Sequence, residues 1–147
     1  MIADLTALLA RGTLAIPAFA DRGGPFRTHT GRTIGPPAAS PVARAALAAL
    51  YCALMTDLCL EFIDARGDLI IEGRMAANRA YVAALAALRS RQRVLVSPDE
   101  TGTLRGAAIL LSLARGQRPR DSSPTRCAAS EIAGLDDARR RWRELLP

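Results

Sequence analysis

The chain has 147 residues, of which 50 % are hydrophobic and 23 % are charged, so we expect one folded domain and exclude an intrinsically disordered protein. The formal net charge is +6 and the pI about 10.5, but all 20 basic residues are arginine and most are scattered along the chain. Arginine and alanine both have GC-rich codons, so a nucleic-acid partner is the minor interpretation of this charge.

The N-terminal third predicts little regular structure. Residues 1–11 have the pattern of a short helix that ends at Gly12. Three leucines share one side of it: Leu5, Leu8 and Leu9. Residues 13–16 form a brief apolar stretch that suits a strand. Residues 17–41 are rich in proline and glycine and predict an irregular segment. Two aromatic residues indicate that parts of this segment pack down: Phe19 and Phe26.

A long apolar helix is predicted next, with Ser40 as its N-cap, Pro41 in its first turn and an end before Gly67. Apolar side chains nearly encircle it, which is typical of a central, buried helix. Its longest apolar run, residues 45–56, is about half of the ~20 residues that cross a bilayer, so we expect no membrane span. Three acidic residues are expected to form a narrow solvated side: Asp57, Glu61 and Asp64.

The middle of the chain alternates strands and helices. Short apolar runs at 68–72 and 93–96 predict buried parallel strands. Helices are predicted over 76–89 and from Thr101 or Thr103 to Ala114, followed by a polar connector. This order indicates an α/β domain with parallel strands and flanking helices. Two strands are few for a stable sheet, so we expect part of a larger layered domain.

The C-terminal segment predicts an amphipathic helix over 131–146. Its apolar side carries Ile132, Leu135, Trp142 and Leu145. Four arginines are expected on its solvated face: Arg139, Arg140, Arg141 and Arg143. Phosphate or acidic partners are the minority interpretation of this cluster.

Cysteine and histidine usage points to no metal site. The three cysteines lie at 52, 59 and 127, no C-x-x-C pair occurs, and His29 has no companion at ligand spacing. The pattern gives no disulfide framework, and the first residues lack the basic region of a secretory signal. We therefore expect a cytoplasmic protein.

A candidate ligand site lies where the 68–72 strand ends. Ligands of parallel α/β sheets bind beyond the carboxyl ends of the strands, and Gly73 there permits close approach to the backbone. Asn78, early in the next helix, both donates and accepts hydrogen bonds, which suits the edge of a purine. Small residues also open the following helix, at Gly106 and Ala107. Taken alone, these favour simple packing over ligand contact.

Several segments in order resemble the C-terminal domain of the FGGY family of carbohydrate kinases: IPAFADRGGPF (16–26), the apolar helix at 44–63, LIIEGRMAAN (69–78), RVLV (93–96) and RGAAILLSLARG (105–116). The resemblance implies part of an actin-like ATPase, or ribonuclease H-like, α/β fold that is rich in helix. It implies a kinase-type domain over 13–116, with 117–147 as a connector and a C-terminal amphipathic helix.

The resemblance also implies a site for the adenosine side of ATP. Gly73 would pack against the adenosine, Asn78 would contact the base, and Gly106 and Ala107 would be the small residues of the following helix. The family often has consecutive glycines where this chain has Glu72-Gly73-Arg74. Glu72 and Arg74 would therefore either narrow the pocket or contact the ribose and phosphates. The complete kinase would use ATP with Mg²⁺ to phosphorylate a sugar or polyol.

In such kinases the sugar site, the catalytic aspartate and the first phosphate loop lie in an N-terminal domain. This sequence shows none of them, so we assign no catalytic or metal-ligating residue and expect the chain alone to be inactive. The chain would then be a truncated product or one part of a split kinase, with a complementary kinase chain as partner. The alternative is a non-enzymatic interaction module that forms homo-oligomers through an exposed sheet edge and an apolar face.

Overall fold

The computed structural model describes residues 2–20, 24–98, 102–117 and 123–147. Within them the helices are α1 (Ile2–Ala10), α2 (Pro41–Phe62), α3 (Arg79–Leu88), α4 (Gly102–Ala114) and α5 (Leu135–Glu144), with a 3₁₀ helix over Gly73–Ala77. The strands are β1 (Leu14–Ile16), β2 (Arg32–Ile34), β3 (Leu69–Ile71), β4 (Val94–Val96) and β5 (Thr125–Cys127). Thr101 and parts of the two predicted irregular segments, 21–23 and 118–122, lie outside the described residues.

The segment 17–41 is not irregular throughout, and this part of the prediction is wrong. Its residues 32–34 form β2, which pairs antiparallel with β1 and sets Leu14 opposite Ile34. The buried Thr13 hydroxyl donates a 2.7 Å hydrogen bond to the Pro36 carbonyl and ties the returning chain to β1. Proline and glycine on both sides of β2 make the segment look irregular by composition. The strand forms because it pairs with β1, and such a tertiary contact is not visible in the local sequence.

Helix α2 is the central helix that the sequence predicts. The Ser40 hydroxyl accepts a 3.0 Å hydrogen bond from the Ala43 amide, and Pro41 opens the helix. Helix α2 is long and apolar enough to cross a membrane, with a mean hydropathy of 1.6 over its most apolar 18-residue window. This differs from the estimate based on its longest apolar run. Yet 44 % of that window is buried against the rest of the fold, chiefly by α1, α3 and β1, as expected for a core helix.

The main sheet has the order β3-β4-β5. β3 and β4 are parallel, as predicted, with Ile71 opposite Val96. The connector prediction missed β5, which pairs antiparallel with β4. The expected full burial of the first strand is also wrong, because Ile70 is 56 % exposed while Ile71 is buried. Only one face of this strand is covered among the described residues.

The predicted helix over 76–89 divides into two pieces at Asn78. The 3₁₀ helix ends there, and α3 begins with Asn78 as its N-cap, since the Asn78 Oδ1 accepts a 3.1 Å hydrogen bond from the Tyr81 amide. Most of α3 is buried, chiefly against α2.

Helix α5 packs into the same core as the sheet. Trp142 is fully buried, and its indole Nε1 donates a 2.8 Å hydrogen bond to the Ala15 carbonyl of β1. The helix was predicted over 131–146 but begins at Leu135, so Ile132 is buried ahead of it. Of the predicted apolar side, Leu135 and Trp142 are buried on the helix. The division of the chain after residue 116 stays a prediction.

The two faces expected to be solvated in fact meet each other. Asp57 of α2 is only 1 % exposed and lies among three arginines, so the expectation of a wet acidic side is wrong at this residue. Arg139 and Arg143 of α5 contact both Asp57 and Glu61. Glu61, Asp64, Arg140 and Arg141 are exposed as predicted, although Glu61 is paired with arginines of α5. An apolar helix can bury a carboxylate when it is paired in this way.

Candidate nucleotide cleft

A cleft of about 340 Å³ lies beyond the carboxyl ends of β3 and β4, where α4 begins. Its lining comprises Ile70, Glu72, Ser97, Gly102, Arg105, Gly106, Ile109 and Pro124. The volume is at the lower end of the range of small-molecule sites, about 300–1,000 Å³. Ile70, Ile109 and Pro124 supply apolar surface, while Glu72, Ser97 and Arg105 are its polar members among the described residues.

Glu72 follows β3 directly, and its carboxylate lies over the start of α4. A Cβ added to Gly102 would stand 2.9 Å from the Glu72 Oε2, so the absence of a side chain at Gly102 makes room for the carboxylate. A negative charge is favoured at this position, because helix N-termini carry unpaired amides and a partial positive charge. Whether Glu72 narrows the pocket or contacts the ribose and phosphates stays a prediction.

The small residues of α4 separate into two sides. Gly106 lines the cleft, and no atom lies within 4 Å of the place that a Cβ would take there. Among the described residues, therefore, helix packing does not require glycine at this position. Ala107 is exposed and does not line the cleft. The roles of both residues in nucleotide contact stay predictions.

Gly73 and Arg74 belong to the 3₁₀ helix that follows Glu72. Gly73 has a φ of +69°, a left-handed conformation that glycine adopts without strain, so the turn alone explains its identity. Arg74 is exposed, and neither residue lines the cleft. Their predicted contacts with adenosine, ribose or phosphates stay predictions.

Asn78 is held by the backbone and does not line the cleft. Its Oδ1 is engaged in the N-cap of α3, which leaves its amide Nδ2 as the group that would contact a base. Contact between Asn78 and a nucleotide stays a prediction.

Six lining residues are not among the site residues predicted from the sequence: Ile70, Ser97, Gly102, Arg105, Ile109 and Pro124. Ser97 follows β4 as Glu72 follows β3, and its amide donates a 2.9 Å hydrogen bond to the Ile71 carbonyl. The rule that ligands bind at the carboxyl ends of parallel strands applies to both strands and would have identified it. Pro124 had no such signal, because it joins the cleft through the pairing of β5 with β4.

Metal-binding geometry is not found in the part of the chain that the structure describes. There, no group of three or more His, Cys, Asp or Glu side chains is arranged to hold an ion. Among the described residues that line the cleft, Glu72 supplies the carboxylate.

The family model for the carbohydrate kinase FGGY C-terminal domain matches residues 1–120 of this chain. Among solved structures, a carbohydrate kinase from Novosphingobium aromaticivorans is similar with a TM-score of 0.76 and 30 % identity, over 97 % of this chain and 29 % of that protein. No curated protein matches by sequence.

A second solved structure, xylulose kinase from Rhodospirillum rubrum, has a TM-score of 0.61 at 18 % identity, over 97 % of this chain and 33 % of that protein. These likenesses confirm the predicted fold, part of the actin-like ATPase fold of FGGY kinases. The chain spans about a third or less of the length of these two kinases. It belongs to the FGGY carbohydrate kinases, as a C-terminal domain of that family.

Proposed function

We propose that this chain supplies the adenosine side of the ATP site of a carbohydrate kinase. The observation that carries the proposal is the cleft between the end of β3 and the start of α4, which places Glu72 and Gly106 on one small cavity. Both belong to segments that carry the resemblance to the kinase family. In the complete enzyme, ATP with Mg²⁺ would phosphorylate a sugar or polyol hydroxyl, and a cytoplasmic location suits these substrates.

The lining of the cleft supports a nucleoside as the ligand. Ile70 and Ile109 offer apolar surface for a base, and the bare backbone at Gly106 allows a flat group to approach α4 closely. Ile70 is more than half exposed, so a bound base would cover apolar surface that is otherwise in water. Apolar walls with a few polar groups are the usual composition of such sites.

We also propose that the chain transfers no phosphate by itself. Phosphoryl transfer depends on positioning and on charge stabilisation around the γ-phosphate. Within the described residues we find no ligand set for Mg²⁺ and assign no base. This chain matches about a third or less of the length of the two kinases. The sugar contacts and the catalytic base would come from the remaining part of such a kinase, either joined to this chain or on a complementary chain.

The test is calorimetric titration of the 147-residue chain with ADP and ATP, together with a phosphorylation assay on a panel of sugars and polyols. We expect saturable binding of adenine nucleotides and no sugar phosphate. Absence of binding at millimolar nucleotide would overturn the assignment of the site. Robust phosphorylation by the chain alone would instead overturn the proposal that it transfers no phosphate by itself.

A specific observation also favours the alternative, an interaction module. Helix α4 has no buried residue, and four leucines on it are more than half exposed: Leu104, Leu110, Leu111 and Leu113. β3 has a partner strand on one side only within the described residues. Exposed apolar surface and an open sheet edge are typical of surfaces that associate.

Light scattering after size-exclusion chromatography tests this alternative. A stable homo-oligomer without nucleotide binding would favour the interaction module. A complementary kinase chain would compete with self-association if it bound the same surface of α4. The double variant Leu110→Gln, Leu113→Gln should then be monomeric. As a control, Thr28→Gln changes an exposed residue outside α4 and should leave the mass of the oligomer unaltered. A nucleotide-binding monomer would contradict the module.

A further inference from the structure

We propose that Glu72 is a specificity-determining residue that accepts a hydrogen bond from a ribose hydroxyl, so that the cleft prefers ribonucleosides to deoxyribonucleosides. The inference rests on the proposed nucleotide binding and assigns a chemical role to a residue at which this chain departs from the consecutive glycines often found in its family.

The carboxylate of Glu72 is placed in the cleft and is not used by the fold around it. Glu72 precedes the 3₁₀ helix, yet its side chain makes no capping hydrogen bond to that helix. Its oxygens form no hydrogen bond or salt bridge with any residue in the described parts of the chain. It lines the cleft as an acceptor that is open to a ligand.

The start of α4 leaves room for this acceptor. Gly102 leaves the space that the Glu72 Oε2 fills, with only 2.9 Å to the position of an added Cβ. The carboxylate lies at the amino end of α4, where a helix carries a partial positive charge. A charged acceptor forms a stronger hydrogen bond with a hydroxyl than a neutral acceptor does.

A ribose hydroxyl is the nucleotide group that best matches this position. Acidic residues of other parallel α/β nucleotide sites bind ribose hydroxyls near the carboxyl ends of strands. A phosphate is disfavoured beside Glu72, because two anions would then share the amino end of α4. Arg105 lines the same cleft, so inorganic tripolyphosphate is the probe that tests whether the cleft takes phosphates instead.

Calorimetric titration of the full chain with adenosine, 2′-deoxyadenosine, 3′-deoxyadenosine and tripolyphosphate tests the proposal. In the native chain we expect at least one deoxynucleoside to bind about tenfold more weakly than adenosine, the scale of one hydrogen bond to a charged group. Tripolyphosphate should bind more weakly than adenosine.

Two variants and a control locate the effect. Glu72→Ala should reduce the discrimination to less than about twofold, since the acceptor is gone. Gly102→Ala should do the same with Glu72 present, because the new methyl displaces the carboxylate. Glu144→Ala changes an exposed carboxylate outside the cleft and should retain the full discrimination.

The outcomes separate the inference from the function on which it rests. Equal affinity of the native chain for adenosine and both deoxynucleosides overturns the role of Glu72 while leaving nucleotide binding intact. Unchanged discrimination in Glu72→Ala also overturns it. If neither adenosine nor ATP binds the native chain, the proposed function fails, and the inference fails with it.

Discussion

Arg139 and Asp57 are 82 positions apart in the chain and form a two-pronged salt bridge. The Arg139 Nε lies 2.8 Å from the Asp57 Oδ2, and its terminal nitrogen lies 2.9 Å from the Oδ1. Arg143 adds a 2.8 Å contact to the Oδ2. Arg89 Nε lies 2.8 Å from Oδ1 without good hydrogen-bond direction, and a second Arg89 nitrogen donates to the Asp57 carbonyl. This cluster joins α2, α3 and α5.

Replacing Asp57 should destabilise the fold strongly. Asp57→Asn removes the buried charge that three arginines share, and we expect a loss of about 3 kcal/mol in the free energy of unfolding, the lower end of the effect for a broken buried pair, because the arginines are partly exposed. Urea denaturation measures it. Asp64→Asn breaks the exposed pair with Arg66 and should cost under about 0.5 kcal/mol. Similar losses in both variants would contradict the structure.

Glu61 should make stability fall in acid. The hydrogen bond from Arg143 lowers the pKa of Glu61 below its usual 4.5, and the charges of Arg143, Arg139 and Arg89 act in the same direction. Because the pKa is lower in the folded state, the stabilisation is fully present above about pH 4.5 and is lost as the pH falls through the pKa of the folded state.

The free energy of unfolding is measured for the native chain and for Glu61→Gln from about pH 3 to about pH 7, an interval that includes the usual pKa values of carboxylates. The difference between them should be constant at the neutral end and shrink at the acid end. Glu144→Gln, an exposed carboxylate of α5, should show a small difference at every pH. A pH-independent difference for Glu61→Gln would rule out the ion pair as its cause.

The single tryptophan should report on the attachment of α5. Trp142→Phe removes the hydrogen bond to the Ala15 carbonyl and part of a fully buried ring, at a cost of about 2 kcal/mol. Circular dichroism during denaturation measures the loss, since the variant has no indole fluorescence. Phe62→Leu changes an aromatic that is 65 % exposed and should stay within about 0.5 kcal/mol. Comparable costs would show that α5 is not docked.

Two neighbouring positions of α4 should differ in their effect on nucleotide binding. Gly106→Leu places a side chain in the cleft and should weaken ATP binding by tenfold or more, about the effect of losing one favourable contact of 1.4 kcal/mol. Ala107→Leu adds the same side chain outside the cleft and should leave the affinity within about twofold. Calorimetry measures both. A larger effect from Ala107→Leu would place the nucleotide on the other side of α4.

Asn78 can be tested for base contact separately from its structural role. Asn78→Asp keeps an oxygen that accepts from the Tyr81 amide but removes the amide donor, so the fold should hold while nucleotide binding weakens. Asn78→Ala also removes the cap and should cost about 1 kcal/mol of stability. Thermal unfolding and calorimetry separate the two effects. Unchanged binding in Asn78→Asp would leave Asn78 a purely structural residue.

Local pattern by itself determined most of the elements and the family. The N-cap at Ser40, the nearly all-apolar α2 and the runs of β3 and β4 are signalled by residues that are close in sequence, since capping and helical or strand periodicity are local effects. The segments that resemble FGGY kinases likewise keep their order along the chain, and the family match covers them.

Tertiary structure decided what depends on residues far apart. β2 and β5 are short and polar and exist through pairing with β1 and β4, so neither was visible in its own sequence. The burial of Asp57 required the arginines of α5 to arrive 82 and 86 positions later. The cleft, too, joins Glu72 to Gly102 and Gly106 across separate elements. Local pattern sets which elements form, while contacts between distant elements determine which charges are buried and which side chains share a site.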